Sequence, residues 1–148
     1  MQEDRYRVET SFDLKTFEFI SEGPKGKIDK VVVYSEINLK EVYNLAFGDK
    51  DPITGFLNDL IVTNNGDSHK VLATVAATLY AFTSEEPNAT IIATGSTAAR
   101  TRLYRMGISN NLEEIMKDFI VYGLTVNKNW ELFRKNIIYG AFLIRRKL

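Results

Sequence analysis

The stretch best suited to chemistry is Thr94-Gly95-Ser96-Thr97-Ala98-Ala99-Arg100. A turn of small residues that leaves a strand and opens a helix aims backbone amides, and the positive end of the helix dipole, at whatever lies above it. The Ser96 and Thr97 hydroxyls add donors, and Arg100, one turn on, can close over an anion. This is the equipment of a phosphate or carboxylate site, with Gly95, Ser96, Thr97 and Arg100 as its binding residues. The same residues also make an ordinary helix start, with Ser96 or Thr97 as N-cap and Arg100 on a solvated flank.

A second strand-to-helix turn is Asn64-Asn65-Gly66-Asp67-Ser68-His69-Lys70. Two such turns at the carboxyl ends of strands flank the usual ligand crevice of an α/β layer, which makes Asn64, Asn65, Gly66 and Lys70 binding candidates. His69 is the single histidine, and its unperturbed pKa near neutrality suits a general base or a phosphate donor. Against this stands plain turn and cap chemistry, with His69 as a surface residue of a first helical turn.

Other chemistries lack their residues. The chain has no cysteine, which excludes disulfides, thiolate metal ligands and a cysteine nucleophile. One histidine cannot build a multi-histidine zinc site, and no nucleophile-elbow pattern accompanies it. Asp49, Asp51 and Asp59 do not have a spacing diagnostic of magnesium, so no metal site is assigned. Lysine plus arginine and aspartate plus glutamate are 19 each, and no basic–aromatic motif is present, which disfavours nucleic acid as a partner. The tail Arg145-Arg146-Lys147 reads as a solvated charge run.

These residues need a scaffold. At 148 residues, 45% apolar and 26% charged, the chain suits one globular α+β domain over residues 1–148. Its polar start and the lack of an apolar run of about 18 residues argue against an export signal or a membrane helix, and the expected location is cytoplasmic. A polar start of about ten residues lies on the surface or pairs as an edge strand. Residues 16–20 and 27–36 read as a hairpin around the turn at residues 22–26, and residues 41–47 and 57–63 as further strands.

From Ser68 to Phe82, apolar residues recur at Val71, Leu72, Val75, Leu79 and Phe82, the stripe of a helix capped by Asp67 or Ser68. Residues 89–94 form a strand and residues 97–106 a helix that Gly107 ends, burying Ala99, Leu103 and Met106. Asn111 and Glu114 have capping-box spacing for a helix over residues 112–117. Strands over residues 119–126 and 136–145 complete the chain, the last apolar on both faces and therefore central. The expected fold is a mixed, mostly antiparallel sheet with helices on its faces, in the order ββββ-α-β-α-(α)-β-β. Its one parallel crossover runs from strand 57–63.

Asn44-Leu45-Ala46-Phe47-Gly48-Asp49, Asn64-Asn65-Gly66-Asp67 and the run from Gly95 to Tyr104 resemble a family of uncharacterised Bacteroidetes proteins over most of the chain. That likeness implies no activity. The succession strand 57–63, helix 68–82, strand 89–94, helix 97–106 resembles the core of the GCN5-related N-acetyltransferases. There the first helix follows the acetyl-CoA pyrophosphate loop, and the second carries a leucine-tyrosine pair before a glycine. Leu103-Tyr104-Arg105-Met106-Gly107 is similar, with the glycine one residue early. The likeness implies that Tyr104 matches the tyrosine that protonates the leaving thiolate. The loop at residues 65–70 departs from that pattern, with one glycine and an aspartate where an anion would sit.

The expected function is a non-catalytic binding or interaction domain on such a scaffold, holding a small anionic ligand at the turn of residues 95–100 or a protein partner. An acetyl-CoA-dependent N-acetyltransferase with Tyr104 as general acid is the rival reading. A homo-oligomeric structural protein is a third.

Overall fold

The computed structural model describes residues 4–58, 63–95 and 97–147. Its strands are β1 (Glu9–Thr10), β2 (Thr16–Gly23), β3 (Gly26–Glu36), β4 (Val42–Asp49), β5 (Thr90–Ala93), β6 (Phe119–Leu124), β7 (Trp130–Leu132) and β8 (Phe142–Arg146). The helices are α1 (Ser68–Glu85), α2 (Ala98–Asn110) and α3 (Leu112–Asp118). The strands form a single mixed sheet ordered β1-β2-β3-β4-β5-β8-β6-β7. Among the described residues only β4 and β5 are parallel, joined through α1, so the α+β class and mostly antiparallel sheet hold.

Alternation along the strands sets one face to the core. Phe17, Phe19, Val32, Tyr34, Tyr43, Leu45, Phe47, Ile91, Phe142 and Ile144 lie inward, brought level by register pairs such as Val32↔Phe47 and Ile91↔Ile144. The three helices cover this same face. Leu72 and Leu79 of α1, Tyr104 and Ile108 of α2, and Ile115 of α3 meet Leu45, Ala93 and Ile144 around one small void of about 40 Å³. Aromatic stacking pins α1, with Tyr34 and Phe82 parallel at 4.2 Å and the Tyr34 hydroxyl bonded to that of Thr78. The opposite face carries half-buried residues such as Val33, Ile92, Tyr122 and Leu143, as an antiparallel sheet with one wetter side permits.

Several expectations need correction. The parallel crossover seen among the described residues starts from β4, whereas the expectation places it at residues 57–63. Residues 59–62 of that expected strand lie outside the described residues; the described ends are an isolated bridge, Lys50↔Leu57, and irregular chain at Thr63. Helix α2 runs on through Gly107 to Asn110. Gly107 lies within the helix and packs tightly on α1, where a β-carbon would stand 3.2 Å from the Leu72 side chain, so the glycine serves close approach of α1 and α2 rather than termination. The buried face of α2 is Arg100, Tyr104 and Ile108; Ala99 is exposed and Leu103 and Met106 are half-buried.

Asn111 stands at the start of α3 without capping it, and its amide instead donates to the Gly107 carbonyl, closing the end of α2. The last strand begins only at Phe142, because Tyr139 folds inward onto Gly123, where any β-carbon would meet its ring at 2.5 Å. In the basic tail, Arg146 is not merely solvated. It donates to the Thr83 hydroxyl and the Tyr80 carbonyl and lies 5.2 Å from the centre of the Phe119 ring. Gly107→Val would overpack the contact with Leu72 and should cost about 1–3 kcal/mol, read as a lower midpoint in urea denaturation with an unchanged m-value.

Candidate functional site

Strand β4 outruns its neighbour. Its pairing with β5 ends at Leu45↔Ala93, yet β4 continues to Asp49. Beyond that point its backbone would be an unpaired edge inside the molecule, at several kcal/mol for each unsatisfied pair of groups. Helix α2 fills the gap. The Tyr104 hydroxyl sits 3.3 Å from the Phe47 amide, which donates to it, and 3.4 Å from the Leu45 carbonyl. Arg100 donates to the Phe47 carbonyl at 2.8 Å and the Asn58 carbonyl at 3.1 Å. Both side chains are core residues, 5% and 4% exposed.

The Gly95 turn is closed on itself. The Gly95 amide donates to the Thr101 hydroxyl, which in turn donates to the Thr97 carbonyl. Thr97 caps α2 by accepting from the Arg100 amide. Gly95 is required by contact: a β-carbon would come within 2.4 Å of the Thr101 amide nitrogen. Ser96 lies outside the described residues.

The other turn is likewise knitted into the scaffold. Asn65 is buried; its amide donates to the Gly26 carbonyl and the Ser21 hydroxyl, and its oxygen accepts from the Lys25 amide. It thereby locks the β2–β3 hairpin to the chain entering α1. Gly23 lacks a side chain for this reason, since a β-carbon would strike the Asn65 carbonyl at 2.0 Å. Asn64 is exposed and accepts from the amide of Gly66, whose φ is +75°.

Asp67 occupies the N-cap position of α1 without capping it, because its carboxylate accepts from the Tyr6 and Ser21 hydroxyls. Tyr6 also stacks on Phe19, and Lys70 lies 4.3 Å over the Tyr6 ring and 3.6 Å from Asp4. His69 is exposed, and among the described residues no hydrogen bond ties it to the other candidates.

Between the start of α1 and the flank of α2 that carries Ala99, Arg102, Leu103 and Met106 lies a cleft of about 370 Å³. Asn64, Asp67 and Ser68 border it from α1, and Phe47, Val71, Leu72, Leu103 and Met106 give it an apolar wall, with Arg102 on the α2 rim. Tyr104, Arg100 and His69 do not line it. Lys30 on its floor belongs to an ion pair that sequence reasoning passed over. Lys30, 1% exposed, pairs with Asp49 directly across the β3–β4 ladder and donates to the Thr63 carbonyl. Asp49 also accepts from the Thr63 amide and hydroxyl. The signal was parity: Lys30 shares the inward alternation of Val32 and Tyr34, where a lysine requires a partner. Asp49, considered only for a metal, is that partner.

Burial opposes ionisation of Asp49, but hydrogen bonds from Lys30 and Thr63 outweigh it and hold its pKa below the usual carboxylate range. A depressed folded-state value adds stability that is complete above the unfolded value, about 3.9, and is lost as pH falls through the folded one. Thermal melts from pH 5 to pH 2 should therefore show acid destabilisation that is shallower in Asp49→Asn, alongside a lower stability of that variant at pH 7. Arg100→Met, which leaves the end of β4 unsatisfied, should cost about 1.5–3 kcal/mol in urea denaturation.

No curated protein and no solved structure is detectably similar to this chain. Among the described residues, no helix is long and apolar enough to cross a membrane. The model of one protein family does match, over residues 2–147, and the chain accordingly belongs to DUF6934, a family of unknown function.

Proposed function

We propose that this domain is a non-catalytic binding module whose ligand is a small amphipathic anion seated in the cleft between the start of α1 and the Arg102–Met106 flank of α2. The cleft itself carries the reading: about 370 Å³, at the lower end of the range for small-molecule sites, with one apolar wall and Arg102 on the rim opposite Asp67, whose carboxylate is occupied by the Tyr6 and Ser21 hydroxyls. Leu103, Met106 and Val71 suit an aliphatic tail, and Arg102 with the Ser68 hydroxyl suits a carboxylate or phosphate head. The anion expected at the Gly95 turn is thus moved to the space beside it, because the amides of Gly95 and Arg100 are already taken.

The binding reading gains support from how the polar residues are spent. Arg100, Tyr104, Asn65 and Asp67 serve backbone satisfaction and element docking, and Lys30 and Asp49 serve each other. The β4–α1–β5–α2 succession supports the scaffold by which the chain resembles the GCN5-related N-acetyltransferases. Acetyl transfer through Tyr104 draws no such support, since the hydroxyl is turned to the backbone of β4 and away from the cleft.

Thermal melts with octanoate, octyl phosphate, inorganic phosphate and acetyl-CoA test the proposal. The octyl anions should stabilise the protein, by about 2.7 kcal/mol at a hundredfold excess over the dissociation constant. Inorganic phosphate should do so far less, and the effect should vanish in Arg102→Gln and Leu103→Gln. No shift with either octyl anion, or a shift that both variants retain, refutes it. Stabilisation by acetyl-CoA alone would favour the transferase reading.

A further inference from the structure

A second and wider cleft, about 730 Å³, lies on the other flank of α2. Its walls are α2 on one side, and on the other the end of β6 with the chain that leads into β8. Arg102 and Arg105 from α2 and Lys128 from the β6–β7 turn line it, and among the described residues no carboxylate does. These three cations make no ion pair or side-chain hydrogen bond with the described residues, whereas the neighbouring Arg134 is held by Glu131.

Their placement is imposed by the fold. Burial of Arg100, Tyr104 and Ile108 turns Arg102 and Arg105 to one flank of α2, where like charges three residues apart repel. Lys128 is fixed with φ +66° in a turn closed by bonds between Thr125 and Asn129 and between Lys128 and Thr125. Two aliphatic side chains complete the cleft. Val126 and Ile138 are 75% and 71% exposed, Ile138 because its neighbour Tyr139 is turned inward over Gly123.

We infer that this cleft is a docking site for an acidic peptide segment of a partner protein, one in which carboxylates alternate with aliphatic residues. Three cations around a space without an acid constitute a field that a polyanionic partner relieves, and such complementarity speeds encounter and sets specificity. The aliphatic pair favours a peptide over a nucleic acid. Single strands are held by stacking on exposed rings, and the one ring lining this cleft, Tyr139, is buried, with its hydroxyl donating to Glu131. Arg102 borders both clefts, but Arg105, Lys128, Val126 and Ile138 belong to this one alone, and the inference does not depend on the first cleft's ligand.

The test is fluorescence anisotropy of the full chain with labelled decapeptides, one alternating Glu and Leu, one alternating Glu and Ser, and one alternating Lys and Leu. The Glu-Leu peptide should bind, weaken as salt is raised, and bind about tenfold more tightly than the Glu-Ser peptide, while the Lys-Leu peptide should not bind. The double variant Arg105→Glu/Lys128→Glu should abolish binding, and Val126→Ser/Ile138→Ser should weaken it about tenfold. All four positions are solvent-facing or half-buried, so thermal melts of the variants should match the parent. Failure of the Glu-Leu peptide to bind, or binding that survives the charge reversal, overturns the inference. So does tighter binding of oligo(dT) or tripolyphosphate at the same site, which would make the cleft a phosphate-polymer groove.

Discussion

The free edge of β4 is the constraint on which the rest of this structure turns. A parallel strand pair that separates partway leaves backbone donors and acceptors facing the interior, and the interior supplies no water for them. Here β4 parts from β5 after Leu45, and the chain answers with two side chains of α2. Tyr104 is amphoteric, so one hydroxyl can serve both the Phe47 amide and the Leu45 carbonyl. Arg100 is donor-only and serves carbonyls, reaching Phe47 and Asn58 together. Once those bonds are required, the rotation of α2 about its axis is fixed. Leu103 must then face one cleft and Arg105 the other, with Arg102 on the border of both.

Helix α1 is set by a separate group of contacts that converge on its first turn. Asn65 binds the hairpin of β2 and β3, Asp67 takes up Tyr6 and Ser21, and the Lys30–Asp49–Thr63 group ties the incoming chain to the sheet. Such buried polar groups are expensive unless satisfied. Their number at one end of the sheet explains why turns rich in asparagine, aspartate and threonine are packed rather than free. The close contact at Gly107 then brings the two helices together over the void beneath. The space left above, between the start of α1 and the flank of α2, is a consequence of these anchors.

Much of the scaffold was legible along the chain. Period-two alternation in Thr16–Gly23 and Val42–Asp49, and the i, i+4 stripe from Val71 to Phe82, are signals that tertiary packing did not override. Of the two turns with potential for chemistry, the one before α1 borders a cleft through Asn64 and Asp67, whereas Gly95, Thr97 and Arg100 do not line it. What misled was local chemistry with more than one use. Gly107 reads as a helix stop, yet it is a contact glycine. Asn111 reads as an N-cap, yet it closes the preceding helix. Asp67 sits at the cap position, yet is drawn off by Tyr6, sixty-one residues away in sequence.

Arg100 shows the limit most sharply. An arginine one turn into a helix after a Gly-Ser-Thr turn looks like an anion ligand, and nothing nearby in sequence contradicts that. Only the three-dimensional neighbourhood shows that carbonyls of Phe47 and Asn58, about fifty residues upstream, have claimed it. By itself the sequence determined the α+β class, the helix positions and the absence of thiol and multi-histidine chemistry, because composition and periodicity are properties of the chain alone. Which face of α2 is buried, which polar residues are spent on the scaffold, and which cations remain at the clefts were decided by the tertiary structure. Those outcomes depend on backbone groups left unpaired by distant strands, and a side chain's partner there is set by the fold, not by its neighbours in sequence.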